Sequence, residues 1–391
     1  MKTKSFLLFS TSVFAISLFL IVFHSQPPQS IQNIVTQTHQ HIKDFQAWVP
    51  QEKLRDVEAS HLVAGEEYAR LLGLDGRAEP WRNTTLPALV TYARGDAHAL
   101  AVAFVRHAAR LPYTVLLYNI GLKPYSLSVV SSYCNSSKCA VVDFDLSAFP
   151  SHVSDESIYA FRPLIIQHAL SRVGGVIFSE SAQRWVGSRA QLASLWARAA
   201  HAGLVAWPRR AAVTSLTHPR MFTYLRAHAD DFLFVQMMDA ERLLVAPAAA
   251  DVMRPWIQCA LTLDCIMPIG AQSVGCRFDK KPQYRYSGCH AQDASALSIV
   301  LGLRWGFDEA RYVERAPLWR RQSEAAARAA FADLQRNTTD DERAEQHVEQ
   351  RAEHRTEHRI EHRTEQHTEH RVEQRTEVHP QQLTEPPRPR P

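Results

Sequence analysis

The sequence predicts an α/β fold around a mainly parallel, Rossmann-like sheet, and three observations predict it. Apolar runs at 86–92, 113–118, 140–144 and 176–178 are short and nearly continuous, as strands buried on both faces require. Stretches with helical apolar spacing lie between and beyond them, at 97–110, 159–172 and 191–202. The chain has 391 residues, 46% of them hydrophobic, which is enough for one sizeable core.

In chain order, the run at 86–92 reads as a buried strand and 97–110 as an Ala-rich amphipathic helix. Strands at 113–118 and 140–144 follow, then the helix over 159–172. Gly174-Gly175 breaks that helix before the strand at 176–178, and 191–202 is helical again. Beyond it the spacing predicts helical pieces around 219–228 and 248–262, a cysteine-rich loop over 265–290, and a closing helix at 294–303.

Outside this body the composition changes. Residues 6–23 form an apolar run without charge, and Lys2 and Lys4 precede it. At about 1.5 Å per residue the run approaches a bilayer core, and the positive-inside rule sends the rest of the chain to the lumen. A cleaved signal peptide would end in small residues of the Ala-x-Ala kind, whereas this run ends Val22-Phe23-His24-Ser25. The expected organisation is a cytosolic start at 1–5, a signal anchor at 6–23, a stem at 24–85, a luminal domain at 86–320 and a disordered tail at 321–391. A single-pass type II protein of the Golgi or endoplasmic reticulum membrane follows from it. The tail carries a four-residue Glu-His-Arg-Thr repeat in which Glu faces Glu at i+4, and it is almost free of apolar residues. Its seven histidines between His347 and His379 read as part of a solvated repeat.

The formal net charge of +4 is too small for a nucleic-acid footprint in a chain of this length. The charge is uneven, however: the first 340 residues hold 35 Lys and Arg against 28 Asp and Glu. A mildly basic body suits an anionic ligand such as a nucleotide or phosphate.

Six cysteines, Cys134, Cys139, Cys259, Cys265, Cys276 and Cys289, read as disulfides in an oxidising compartment. Proximity favours pairing each with its neighbour in sequence, although fifteen pairings are possible. A zinc site on the last four with His290 is the alternative, and no Cys-x-x-Cys pair supports it. Sequons at Asn83, Asn135 and Asn337 agree with a luminal body.

Several pieces of the segment 86–302 resemble a family of uncharacterised animal membrane proteins with a domain of unknown function. They are Leu117-Tyr-Asn-Ile-Gly-Leu122, Phe149-Pro-Ser-His-Val153, Tyr159-Ala-Phe-Arg-Pro-Leu-Ile-Ile166 and Thr217-His-Pro-Arg-Met-Phe222. Pro255-Trp-Ile-Gln-Cys-Ala-Leu261, Cys265-Ile-Met-Pro-Ile-Gly270 and Gly288-Cys-His-Ala-Gln-Asp-Ala-Ser-Ala-Leu297 complete the resemblance.

The order of parts is also similar to that of A-type glycosyltransferases, whose sheet leads into a strand ending in Asp-x-Asp. There, paired carboxylates hold Mn²⁺ or Mg²⁺ against the diphosphate of a nucleotide-sugar. The corresponding strand here ends Glu180-Ser181-Ala182, with Glu180 at the first carboxylate position and Ala182 at the second. Asp143-Phe144-Asp145 is a literal Asp-x-Asp, one strand early.

The resemblance implies donor binding at Glu180 and Ser181, with Arg162 and Arg184 as phosphate partners. Asp293 or His290 would activate an acceptor hydroxyl or reach the diphosphate, unless Asp293 simply caps its helix. Gln236 and Asp239 match a segment lining the acceptor side. The metal set would be Glu180, Asp143 and Asp145. The partners implied are a nucleotide-sugar donor, a glycan or glycoprotein acceptor, and the membrane, but no nucleic acid. The competing reading is a catalytically inactive binding or scaffolding protein that keeps the fold. A hydrolase finds no Gly-x-Ser-x-Gly or His-Glu-x-x-His motif to rest on.

Overall fold

The computed structural model describes residues 65–279 and 281–376. The anchor expected at 6–23 and the stem up to residue 64 lie outside the described residues. Among those described, no helix is long and apolar enough to cross a membrane.

The elements run α1 (Glu66–Leu71), β1 (Ala88–Gly95), α2 (His98–Ala108), β2 (Val115–Leu122), α3 (Pro124–Tyr133), β3 (Cys139–Asp143), α4 (Phe161–Val173) and β4 (Val176–Ser179). Then come β5 (Gln183–Trp185), α5 (Arg189–Ala202), β6 (Leu204–Ala212), α6 (Pro219–Tyr224) and β7 (Gln236–Val245). The chain continues through α7 (Ala250–Leu261), α8 (Leu263–Ile266), α9 (Gln292–Trp305), α10 (Glu309–Tyr312), β8 (Trp319–Arg321) and α11 (Glu324–Thr376).

Six strands form the central sheet in the order β3-β2-β1-β4-β7-β6. The first four are mutually parallel, and β7 runs antiparallel to both β4 and β6. Side chains alternate between the faces. Val90, Tyr92, Leu116, Tyr118 and Phe178 pack with α4, α7 and α9, while Leu89, Leu117, Ile177 and Val205 pack with α2 and α5. Both faces are therefore covered, which explains the continuous apolar runs. Two glycines set the entry to β4. Gly174 takes φ 74° at the end of α4, and a Cβ on Gly175 would collide with the Trp196 ring.

Three disulfides form, Cys134–Cys139, Cys259–Cys265 and Cys276–Cys289, so no cysteine is left for zinc. The loop between α8 and α9 is stapled by the third.

Two boundaries differ from the expected ones. Leu72 is fully buried and Tyr68 stacks on Phe149, so part of the expected stem belongs to the body. At the other end, α11 begins with a Ser323 cap and buries Ala327 and Phe331 against α2. Helix continues to Thr376 where disorder was expected. Between residues 324 and 376 there is neither Gly nor Pro, and Ala, Glu, Gln and Arg dominate; their summed helix propensity outweighs the like-charge Glu spacing.

The start of α11 is bound to the body through Ala327 and Phe331, and this predicts a step in a truncation series. A chain ending at residue 337 should keep the melting temperature of the full chain. Phe331→Ala should cost about 3 kcal/mol in denaturant unfolding.

Candidate functional site

β1 connects to β2 on one side, and the chain later returns to place β4 on its other side. Such a reversal opens a crevice at the carboxyl ends of the two strands. Glu180 stands there, directly after β4, and is 8% exposed. The first turn of α4 brings Arg162 beside it, and the first turn of α9 brings Asp293.

Arg162 is buried between the two carboxylates. Its Nη1 donates to Asp293 Oδ2 at 2.8 Å, and its Nη2 donates to Glu180 Oε1. Tyr92 donates its hydroxyl to the same Glu180 oxygen at 3.0 Å, and the Tyr159 ring covers the guanidinium at 3.8 Å. Both neighbours of this cluster are strained. Tyr159 has φ 54° and Gln292 φ 36°, a region costly for side chains of this size and typical of sites held by their surroundings.

The opposite wall comes from β6 and β7. Asp239 accepts from Arg209 at 3.2 Å, from Arg242 at 2.5 Å and from the Glu241 backbone N–H. Glu241 Oε2 accepts from Gln183 and from Arg321, both at 2.8 Å, and Arg321 also stands 3.7 Å from Glu180 Oε2. Charges thus alternate through Asp293, Arg162, Glu180, Arg321, Glu241, Arg209, Asp239 and Arg242. Four of them, Asp293, Arg162, Glu241 and Arg209, line a cleft of about 500 Å³ roofed by Ser273, Val274, Phe278 and the Cys276–Cys289 bridge.

Burial disfavours the Arg162 cation, but Asp293 and Glu180 overcome it and hold its pKa well above the ordinary value. Burial raises the Asp293 pKa against the opposing pull of Arg162. The carboxylates two residues apart on β7 are pushed in opposite directions. Burial works to raise Asp239, yet Arg209 and Arg242 outweigh it and lower the pKa. Glu241 is raised by burial and by the charges of Asp239 and Glu180. Such divergence sorts carboxylates into a fixed anion and a proton carrier.

His290 lines the cleft with both ring nitrogens engaged. Nδ1 accepts from the His218 backbone N–H at 3.2 Å, and Nε2 donates to the Ile266 carbonyl at 3.1 Å. Burial lowers its pKa to about 4. Asp293 lies inside the first turn of α9, whose N-cap is Ala291, so it does not cap the helix.

The expected metal set is not brought together. Three strand spacings, roughly 14 Å, separate the positions of β3 and β4 in the sheet. Asp143 accepts from Asn119, and Asp145 caps the turn at Ser147. Among the described residues no group of three or more His, Cys, Asp or Glu is placed to hold a metal. The carboxylates that do converge are already held by arginines, so the residues do not fit a divalent cation.

Arg184 turns away from this cleft. It is buried on the other face over Phe104 and donates to the carbonyls of Ser181, Gln183 and Leu100, while Ser181 lies in the turn after β4. Gln236 opens β7 and accepts from Arg315 at 3.4 Å. Asn83, Asn135 and Asn337 are exposed.

Sequence reading missed Arg209, Glu241, Arg321, Tyr92 and Tyr159. Glu241 was within reach, two residues beyond Asp239 on a strand of period two. Arg209 was hidden because Pro208 interrupts β6, and Arg321 because β8 has only three residues.

No family model and no curated protein matches the chain. Among solved structures it is similar to the apo form of mouse xyloside xylosyltransferase 1, with 9% identity over 59% of this chain and 84% of that one, at a TM-score of 0.32. It is also similar to core-mannan synthase A from Aspergillus fumigatus in its Mn/GDP form, with 10% identity, coverages of 61% and 76%, and a TM-score of 0.35. A third is the galactosyltransferase LgtC in complex with donor and acceptor sugar analogues, with 13% identity, coverages of 55% and 70%, and a TM-score of 0.31.

Two outcomes follow from the electrostatics. Arg162→Ala strands two buried carboxylates and should cost about 3–5 kcal/mol in denaturant unfolding, part of which Glu180→Gln with Asp293→Asn should restore. His290 has a folded pKa near 4 against about 6.5 unfolded, so between these values the unfolded chain binds more protons. Stability should therefore fall as pH drops from 6.5 to 4, by on the order of 3 kcal/mol for this group, and His290→Asn should flatten the melting profile in that window.

Proposed function

We propose that this chain is a glycosyltransferase-like protein of the secretory pathway that takes a nucleotide-sugar donor in the crevice at the carboxyl ends of β1 and β4. The observation that carries the reading is the meeting there of Arg209 and Arg321 with Glu241, whose pKa is raised. Arginine forks match diphosphate oxygens, and a carboxylate with a raised pKa is a better base near neutral pH.

In the proposed reaction, the bond from the sugar's anomeric carbon to the diphosphate oxygen breaks, and the electron pair leaves with the diphosphate. Arg209 and Arg321 meet that charge. The acceptor hydroxyl bonds to the anomeric carbon as its proton passes to Glu241. Arg162 acts from below, holding Glu180 and Asp293 in place and contributing a fixed positive charge. No step passes through Mn²⁺ or Mg²⁺, because the converging carboxylates already serve arginines. The acceptor is a glycan or glycoprotein.

Three disulfides and three exposed sequons support a luminal setting, Golgi or endoplasmic reticulum, with residues 6–23 as the type II anchor.

A second reading has its own support. Four arginines and four carboxylates neutralise one another around the cleft, as suits a binding or scaffolding protein that keeps the crevice without transferring sugar.

A thermal-shift screen of the purified chain against nucleoside diphosphates tests the donor reading, since a bound ligand raises stability by mass action. Uridine or guanosine diphosphate should raise the melting temperature equally in EDTA and in Mn²⁺, and Arg209→Ala should remove the shift. Glu241→Gln should keep the shift and abolish sugar transfer. If no nucleotide moves the melting temperature under either condition, the scaffolding reading replaces this one.

A further inference from the structure

A second cleft, about 970 Å³ in volume, lies on the opposite face of the sheet from the Arg162 cluster. α2 forms one wall, the first turns of α11 form the other, and the β5–β8 pair closes the end. Arg106, Arg110, Arg184, Arg320 and Arg321 line it together with His107. Among the described residues the only acid in its lining is Asp333, which is already paired with Arg336.

These cations act on one another. Burial lowers the pKa of His107, and the nearby charges of Arg184, Arg110 and Arg320 lower it further. Arg184 is 4% exposed, and its hydrogen bonds go to backbone carbonyls alone. Burial without a carboxylate partner lowers its pKa to about 10. A buried cation without a counter-charge is costly, and the cost is relieved when an anion enters beside it. The contrast with the other cleft is direct. There every arginine has a carboxylate; here Arg106, Arg110, Arg184 and Arg320 have none among the described residues.

We propose that the cleft between α2 and α11 binds a polysulfated carbohydrate chain. The cations extend from Arg106 on α2 and Arg110 just beyond it across the β5–β8 pair to Arg321, a row that suits several anionic groups on one chain better than one small anion. In the oxidising compartment that the disulfides mark, sulfated glycans carry such charge, whereas nucleic acid does not occur there. The inference does not rest on the donor reading, because it uses a different cleft that shares only Arg321 with the first.

The experiment is fluorescence anisotropy of a labelled heparin hexasaccharide with the full chain in detergent, at physiological and at raised salt. Binding should be measurable at physiological salt and weaken with salt as counterion release requires. Combined Arg106→Ala, Arg110→Ala and Arg320→Ala should weaken it about tenfold or more and reduce its salt dependence. These three side chains are exposed, so the fold should survive, which an unchanged melting temperature checks. Combined Arg70→Ala, Arg77→Ala and Arg304→Ala removes the same charge elsewhere and should change affinity less than about twofold.

The proposal is overturned if the hexasaccharide does not bind at physiological salt, or if the two triple variants lose affinity equally. It is also overturned if inorganic phosphate at matched concentration displaces the hexasaccharide, since the cleft would then be a simple phosphate site.

Discussion

The guanidinium of Arg162, fully buried between Glu180 and Asp293, ties together three parts of the fold that are distant in sequence. Glu180 ends β4, Arg162 opens α4, and Asp293 opens α9. Two charges of one sign around one of the other would be unstable in an apolar interior without direct hydrogen bonds. Here Tyr92 and the Ala294 N–H complete the carboxylates, and Tyr159 closes over the cation. The position of α9, and with it the entry of the disulfide-stapled loop, depends on this contact. So does the strained backbone at Tyr159 and Gln292, which persists because the ion pairs hold both sides of it.

The same contact decides what the crevice offers. A site of this architecture with free carboxylates would attract a cation; with arginine already between them it presents fixed, paired charge. What remains adjustable is on the outer wall, where Arg209 and Arg321 are partly exposed and burial and Asp239 raise the pKa of Glu241. Arg321 belongs to both clefts, bordering Glu180 and Glu241 on one side and the basic cleft on the other. The short β5–β8 pair that carries it separates two surfaces of opposite design, one neutralised internally and one left positive.

Much of the first half was legible from residue pattern. β1, β2, β3, β4, α2 and α4 fall within a few residues of the expected runs, because strands buried on both faces and helices with one apolar face leave periodic marks, whereas α3 was not expected. β6 and β8 did not stand out. β6 carries Pro208 and two arginines because one end of it borders solvent, and β8 is three residues long. The start of α11 was hidden by the polar repeat that follows it, since Ala327 and Phe331 are two apolar positions ahead of a long hydrophilic stretch.

Sequence alone determined the α/β class, the sheet-forming runs, and Glu180, Arg162 and Asp293 as residues of interest, and it favoured neighbouring cysteines without fixing their pairing. These follow from local pattern and from residue chemistry. Only the tertiary structure decided that the three form one ion-paired cluster, that Asp143 and Asp145 stand apart from it, and that Arg184 faces another cleft. Strand order sets those distances, and strand order is settled by packing among all the elements, which no single stretch of sequence records.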